Sequence, residues 1–395
     1  MKKTIKDIPL KGKKVLIRVD FNVPQKSDGS VADDRRIRSA LPTVEYALGQ
    51  GASVILMSHM GRPKGDPVKD AKYKMDPVAA RLAELLPQAK VRKCDEVVGA
   101  AASKAAAELR PGEVLLLENL RFHPGEKDGD GTFADALRSL ADVYVNDAFG
   151  TCHREDASMV AVPSRFPQGT RVVGFLVEKE LAVLNELLGS PKKPMVAVMG
   201  GAKVSDKIGF IEAILKRVDR LLVGGAMTYT FRKALGQSVG SSLVEADKLD
   251  LARRLLELAG DRLILPVDHL IADKPDATAS TRVVEADIPD GWFGMDIGPK
   301  TIALYSDIVK KAATVLWNGP MGKFEDEPFQ KGTRAIAEAM AASSAITVVG
   351  GGESAEAVEK FGHAPKMKHV STGGGAFLEY VEGKPFAALA VVDDA

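Results

Sequence analysis

Residues able to do chemistry recur along this chain in two sets, one in each half. In the first half, polar and basic side chains follow short apolar runs. Asp20 and Asn22 follow the first run in RVDFNVP, and His59 and Arg62 the second in SHMGRP. Arg121 follows the third in ENLRF, and His153 and Arg154 the fourth in FGTCHR. Arg36 adds a cation at a helix start, after Asp33 and Asp34. Guanidinium groups are planar forks that take carboxylate and phosphate oxygens bidentately. Four arginines so placed, in a chain of formal net charge +1, point to a small, multiply charged anion.

In the second half the equivalent places hold glycine. Gly200-Gly201, Gly224-Gly225, Gly350-Gly351-Gly352 and Gly373-Gly374-Gly375 each follow an apolar run, as does the segment Asn318-Gly319-Pro320-Met321-Gly322. Glycine lets a backbone approach a ligand closely. The stretch MVAVMGGAKVSDKIGFI sets a strand, a glycine turn with Lys203, and a helical pattern starting at Ile208 side by side. Ser205 and Asp206 stand where N-cap residues belong. A helix N-terminus beside a lysine favours phosphate. The P-loop pattern G-x-x-x-x-G-K-[ST] is absent, so the site is built from several turns. Gly350-Gly351-Gly352-Glu353-Ser354-Ala355 also matches the G-x-G-x-x-A dinucleotide fingerprint. That fingerprint wants an acid about 20 residues on, where this chain carries Ser371-Thr372-Gly373. A dehydrogenase stays as an alternative, in weakened form.

The elements that must position these residues alternate strand and helix. Strands are expected at 14–19, 53–57, 114–117 and 142–145, with helices at 37–48, 77–86, 99–109 and 132–140. A second series of strands is expected at 195–199, 220–223, 262–267, 314–316, 346–349 and 369–370. This alternation predicts an α/β protein whose two series form mostly parallel sheets covered on both faces. The expected division is a first domain at 1–175, a joining helix at 176–190 and a second domain at 191–379. Residues 66–74 and 126–131 read as polar, exposed loops.

The totals narrow the class. A length of 395 residues favours two domains over one core. Hydrophobic residues at 45% and charged residues at 27% fit a water-soluble globular chain. The near-neutral net charge offers no basic field for nucleic acid or an anionic membrane surface. The basic N-terminus has no apolar segment behind it, so no signal peptide is expected. Cys94 and Cys152 form no C-x-x-C pair, which fits a reducing cytoplasm and structural thiols.

Taken together, the segments RVDFNVP, DDRRIRSALPT, SHMGRP, LENLRFHPGE, NDAFGTCHR, GGAKVSDKI, DIGPKT, WNGPMGKFE, VVGGGES and STGGGAFLE closely resemble the phosphoglycerate kinase family, in order and over nearly the whole chain. The resemblance implies an α/β fold of two doubly wound, Rossmann-like parallel-sheet lobes joined by a helix, the first holding 3-phosphoglycerate or 1,3-bisphosphoglycerate. It implies a second lobe holding ADP or ATP with magnesium, a monomer, and a tail, 380–395, that packs back on the first lobe. Matched position by position, Asp20, Phe21, Asn22, Arg36, His59, Met60, Gly61, Arg62, Arg121 and Arg154 are the implied acid-substrate residues. Lys203, Lys207, Gly294, Asn318, Glu325, Gly351, Gly352, Glu353 and Ser354 are the implied nucleotide residues. Arg36, Lys203, Gly373 and Gly374 are the implied catalytic set.

Three positions depart from the pattern. Glu353 stands where the family usually has an aspartate toward magnesium, and one extra methylene moves its carboxylate by about a bond length. Glu155-Asp156 follow Arg154 where many members carry Ala-His, which makes that edge less positive. Arg35 replaces a commonly small polar residue beside Arg36. The implied reaction is phosphoryl transfer between an acyl phosphate and ADP after the lobes close. An inactive nucleotide-binding protein is the third alternative.

Overall fold

In this computed structural model, which describes residues 1–285 and 287–395, the apolar runs of the sequence become buried parallel strands. The first six are β1 (Lys14–Val19), β2 (Ser53–Met57), β3 (Lys90–Lys93), β4 (Glu113–Leu116), β5 (Val143–Asp147) and β6 (Arg171–Val173). They form one sheet in the order β3-β4-β2-β1-β5-β6, with every pairing parallel. Such strands are covered on both faces, which is why they read as continuous hydrophobic runs. Alternation along β1 sends Val15, Ile17 and Val19 into one core with the helix Arg35–Gly49, and Leu16 into the other with Ile55, Phe133 and Tyr144. The chain reverses direction across the sheet at β1, and the carboxyl ends of β1, β2 and β5 meet there.

The second sheet repeats the device. Its strands are β7 (Met195–Met199), β8 (Arg220–Val223), β9 (Leu263–Ile264), β13 (Thr314–Asn318), β14 (Ile346–Gly350) and β15 (His369–Val370). They run parallel in the order β15-β14-β13-β7-β8-β9. Both sheets are therefore doubly wound, as the resemblance implies. Between β9 and β13 lies a small antiparallel sheet of β10 (His269–Ala272), β11 (Thr281–Val284) and β12 (Phe293–Ile297), for which the sequence gives no strong pattern.

The chain divides into two compact units, Met1–Ala182 with Pro385–Ala395, and Val183–Lys384. The helix Phe175–Gly189 carries the chain from the first unit to the second. Its N-terminus is held by Asp147, whose Oδ1 accepts from the N–H groups of Leu176 (2.9 Å) and Val177 (3.4 Å). The last residues are tied into the first unit. Asp393 accepts from Arg171 Nη2 at 2.8 Å and from Gly169 N at 2.7 Å, and Lys3 N donates to its carbonyl at 2.9 Å.

Several local expectations fail for identifiable reasons. β3 is an edge strand with one apolar residue, Val91, so its period is too weak to read. The run at 262–267 shrinks to two residues, since Pro266 cannot donate to a ladder. Ser205 and Asp206 do not cap a helix by their side chains. They sit in a 3₁₀ turn, Ser205–Lys207, ahead of the helix Ile208–Ile214, and the Ser205 backbone N–H bonds Glu245 at 3.1 Å. The stretches 66–74 and 126–131 are not simply exposed. Asp70 is buried and accepts from Lys64, Gly65 and Asp66 N–H groups, while Glu126 is buried against Ser158. No helix among the described residues is long and apolar enough to cross a membrane.

Candidate active site

In the first unit the loops beyond β1, β2, β4 and β5 bring the cationic residues together around His59. Arg36 Nη1 donates to Asp20 Oδ2 at 2.8 Å, and Asp20 Oδ1 accepts from Asn22 N at 3.1 Å. Arg36 is 39% exposed in its side chain, so Asp20 restrains it without covering it. Asn22 Oδ1 accepts from Gly61 N at 2.8 Å, and Arg121 Nη1 donates to Gly61 O at 2.6 Å. Asn119 fixes the same loop, accepting from Met60 N (2.9 Å) and donating to Met60 O (2.8 Å). Arg154 Nη1 lies 3.4 Å from His59 Nε2. Arg62 is exposed, with no hydrogen bond or ion pair among the described residues.

The charges in this cluster press on one another. Burial, then Arg18, Arg121, Arg154 and Arg36, hold His59 well below the usual imidazole range, so it is neutral at pH 7. Burial and Arg154 lower Arg121 as well. Asp156 takes Lys127 at 2.7 Å and stands 4.0 Å from Arg121, so the acid at this departure from the family pattern offsets part of the cluster's charge. Glu155, by contrast, is exposed, as is Arg35, which pairs with Asp33.

Three residues expected in contact with substrate are engaged with the framework. Phe21 and Met60 are core side chains, buried with Val19 and Ile37. Both backbone polar groups of Gly61 are occupied by Asn22 and Arg121. Arg18 is a residue that sequence reasoning missed. It sits inside the strand pattern KVLIRV, and its only signal is a cation at a core-facing position, which demands buried partners. Those partners are Ser158 Oγ at 2.8 Å, Val19 O and the His59 ring.

In the second unit the glycine turns stack backbone on backbone. Gly200 N donates to Asn318 O at 2.9 Å, Gly201 N to Pro320 O at 3.1 Å, and Gly225 N to Met321 O at 2.9 Å. A Cβ on Gly200 would overlap the Pro320 carbonyl, so only glycine fits there. The packed turns floor a cleft of about 300 Å³ lined by Ala226, Tyr229, Leu243, Gly294, Glu325 and Glu353 among others. An apolar slot with few polar groups suits a flat ring system.

At one end of the cleft the helix Gly352–Lys360 begins. Gly351 at φ +94° turns the chain into it, and its first internal bond is Ala355 N to Gly351 O at 3.0 Å. The N–H groups of Gly352, Glu353 and Ser354 thus remain for an anion. Lys207 is lowered by burial, partly countered by Glu353. Lys203 is exposed on the turn after β7.

Several expected nucleotide contacts are turned inward. Asn318 is buried, accepting from Lys207 Nζ and donating to Gly350 O at 2.8 Å, so it anchors the lysine. The Ser354 hydroxyl accepts from Gly319 N and is buried, so its backbone N–H is the group at the helix start. Gly373 N donates to Ser371 Oγ at 3.0 Å, so of the last glycine turn Gly374 and Gly375 keep their N–H groups.

Magnesium binds oxygen donors and commonly uses one or two carboxylates together with substrate phosphates. Among the described residues no group of three His, Cys, Asp or Glu side chains is arranged to hold a metal by itself. Glu353, an exposed carboxylate in the first turn of a phosphate-type helix, fits a magnesium ion that arrives on a nucleotide.

Comparison with known proteins agrees with this geometry. Residues 5–384 match the phosphoglycerate kinase family. The chain is 54% identical to the phosphoglycerate kinase of Chloroflexus aurantiacus over 402 aligned positions, covering 100% of this chain and 99% of that one. It is also 54% identical to that of Rubrobacter xylanophilus, covering 100% and 98%. Among solved structures, phosphoglycerate kinase from Coxiella burnetii superposes with a TM-score of 0.87 at 40% identity, covering 99% of this chain and 98% of that one. The Pyrococcus horikoshii enzyme gives 0.86 at 32% identity, with the same coverage. An arginine cluster around a neutral histidine, a glycine-walled cleft and full-length identity of this order lead to one conclusion: the chain belongs to the phosphoglycerate kinase family.

Proposed function

We propose that this chain catalyses the glycolytic transfer of a phosphoryl group between 1,3-bisphosphoglycerate and ADP, giving 3-phosphoglycerate and ATP, with the acid substrate on the first unit and the nucleotide on the second. The observation that carries the assignment is the cluster of Arg18, Arg36, Arg121 and Arg154 around His59, since packed cations of this kind call for an anionic ligand. Both nucleophiles, an ADP phosphate oxygen and a carboxylate, are ionised at pH 7, so no general base is required. The difficulty is repulsion. Two like charges 4 Å apart repel by ~4 kcal/mol at an effective dielectric of 20. Arg36 and Lys203, both accessible, are assigned to the migrating group, helped by the N–H groups of Gly374 and Gly375.

Magnesium, when bound with the nucleotide, supplies positive charge against its phosphates, and Glu353 is the side chain assigned to it. The two residue sets belong to separate units, so in-line transfer requires the units to close, which also keeps water from the acyl phosphate. One chain carries both sets, so a monomer suffices. The two free, buried cysteines suit work in the cytoplasm.

A coupled assay with 3-phosphoglycerate, ATP and magnesium tests the assignment. Turnover is expected; nucleotide binding without turnover selects an inactive binder, and nicotinamide-dependent absorbance changes select a dehydrogenase. Arg36→Ala and Lys203→Ala are each expected to lower kcat by roughly 10²-fold or more with unchanged circular dichroism. Near-wild-type kcat in both removes the roles given to them.

A further inference from the structure

The two ring nitrogens of His59 each meet an arginine. Nδ1 lies 3.2 Å from Arg18 Nη2, and Nε2 lies 3.4 Å from Arg154 Nη1. A guanidinium only donates, whereas a neutral imidazole has one N–H and one acceptor nitrogen. The ring can therefore accept from one of these arginines and not from both.

The surroundings decide which. Arg18 is fully buried and held at three points: its Nε donates to Ser158 Oγ at 2.8 Å, its Nη1 to Val19 O, and its Nη2 reaches the ring. Ser158 is fixed in turn by Glu126, through its N–H at 2.9 Å and its hydroxyl at 2.6 Å. Arg18 has no room to withdraw. Arg154 is only half-buried and its contact is longer. Asp20 is the acid near enough to favour a proton on Nδ1, but its Oδ1 is 4.0 Å away and already accepts from Asn22 N, while Oδ2 holds Arg36.

We propose that Arg18 is a positioning residue that fixes His59 in the tautomer protonated on Nε2, so that the single ring N–H is presented beside Arg154 as a donor to a substrate oxygen. The Nε2–H cannot bond Arg154, which is also a donor. Both groups are satisfied at once by one carboxylate or phosphate oxygen lying between them. The opposite tautomer would turn a lone pair toward that oxygen and repel it. The identity of the oxygen rests on the acid-substrate assignment above; the tautomer does not.

The test is a two-bond ¹H–¹⁵N correlation spectrum of the full chain labelled with ¹⁵N in histidine and arginine, with the His59 signals assigned by their loss in His59→Gln. The expected pattern has Nδ1 as the unprotonated nitrogen and a neutral ring at pH 7. An Nδ1–H tautomer, an even mixture, or an imidazolium at pH 7 overturns the proposal. Arg18→Met is expected to release the ring into mixed tautomers and to raise KM for 3-phosphoglycerate about tenfold, with little change in KM for ATP. A folded Arg18→Met that keeps a pure Nε2–H ring overturns the role of Arg18. If that variant does not fold, the wild-type spectrum still decides, through a ¹⁵N–¹⁵N coupling expected between Arg18 and His59 Nδ1. A coupling from Arg154 to Nε2 in its place refutes the proposal. Adding 3-phosphoglycerate should shift the Nε2 signal; no shift, with the tautomer intact, rejects the acid-substrate assignment alone.

Discussion

His269 on β10 is fully buried, and among the described residues neither of its ring nitrogens has a hydrogen-bond partner. Burial, with Arg232 adding to it, pushes this imidazole down to about 3. The folded state therefore binds fewer protons than the unfolded chain between pH 6.5 and about 3. Stability is complete above pH 6.5 and falls as the pH drops through that window, by about 1.4 kcal/mol per unit. His269→Phe is expected to lose less stability than the wild type between pH 7 and pH 5, as measured by urea denaturation at each pH; equal losses refute this. His59 is neutral for a similar reason, but there the cations around it also serve ligand binding. Type and order of residues show Arg36, Arg121 and Arg154 as candidates at once, because a cation just beyond a strand or at a helix start is legible. They do not show that Phe21, Met60, Asn318 and Ser354 face inward, since side-chain direction depends on what packs against each turn.

The turn after β7 works only because three backbones pass within hydrogen-bond distance of one another. Gly200 sits under Pro320, and Gly225 at φ +67° closes on Gly201. Trp317, fully buried, locks the crossing by donating from Nε1 to Gly319 O at 2.7 Å. Gly200→Ala is expected to cost about 1–3 kcal/mol through overpacking, and to weaken ADP binding even where the protein still folds. Thermal denaturation and nucleotide titration check both, and an unchanged Tm with unchanged affinity removes the crossing as the reason for glycine. Element type was readable from the apolar runs of β7, β8 and β15, whose limits coincide with those runs. β3 and the sheet of β10, β11 and β12 were not readable, because short, half-exposed strands carry little period and owe their form to their neighbours.

At the scale of the whole molecule, the chain leaves the first unit through the helix Phe175–Gly189 and returns at Pro385, where Asp393 is clamped by Arg171. Two covalent crossings and two ligand sets are the basis for the closure proposed above. Small-angle scattering is expected to show a smaller radius of gyration with 3-phosphoglycerate and a non-hydrolysable ATP analogue together than with either alone. An unchanged radius with both ligands bound rejects closure. The order of residues by itself determined the α/β alternation, the doubly wound sheets, the family and which loop cations and glycine turns to examine, because strand periodicity and turn chemistry are local properties. Only the tertiary structure decided that Arg18 stands behind His59, that Asn318 holds Lys207, and that Asp156 pairs with Lys127. Those are contacts between residues up to 111 positions apart, fixed by burial and charge at a point where separate loops converge.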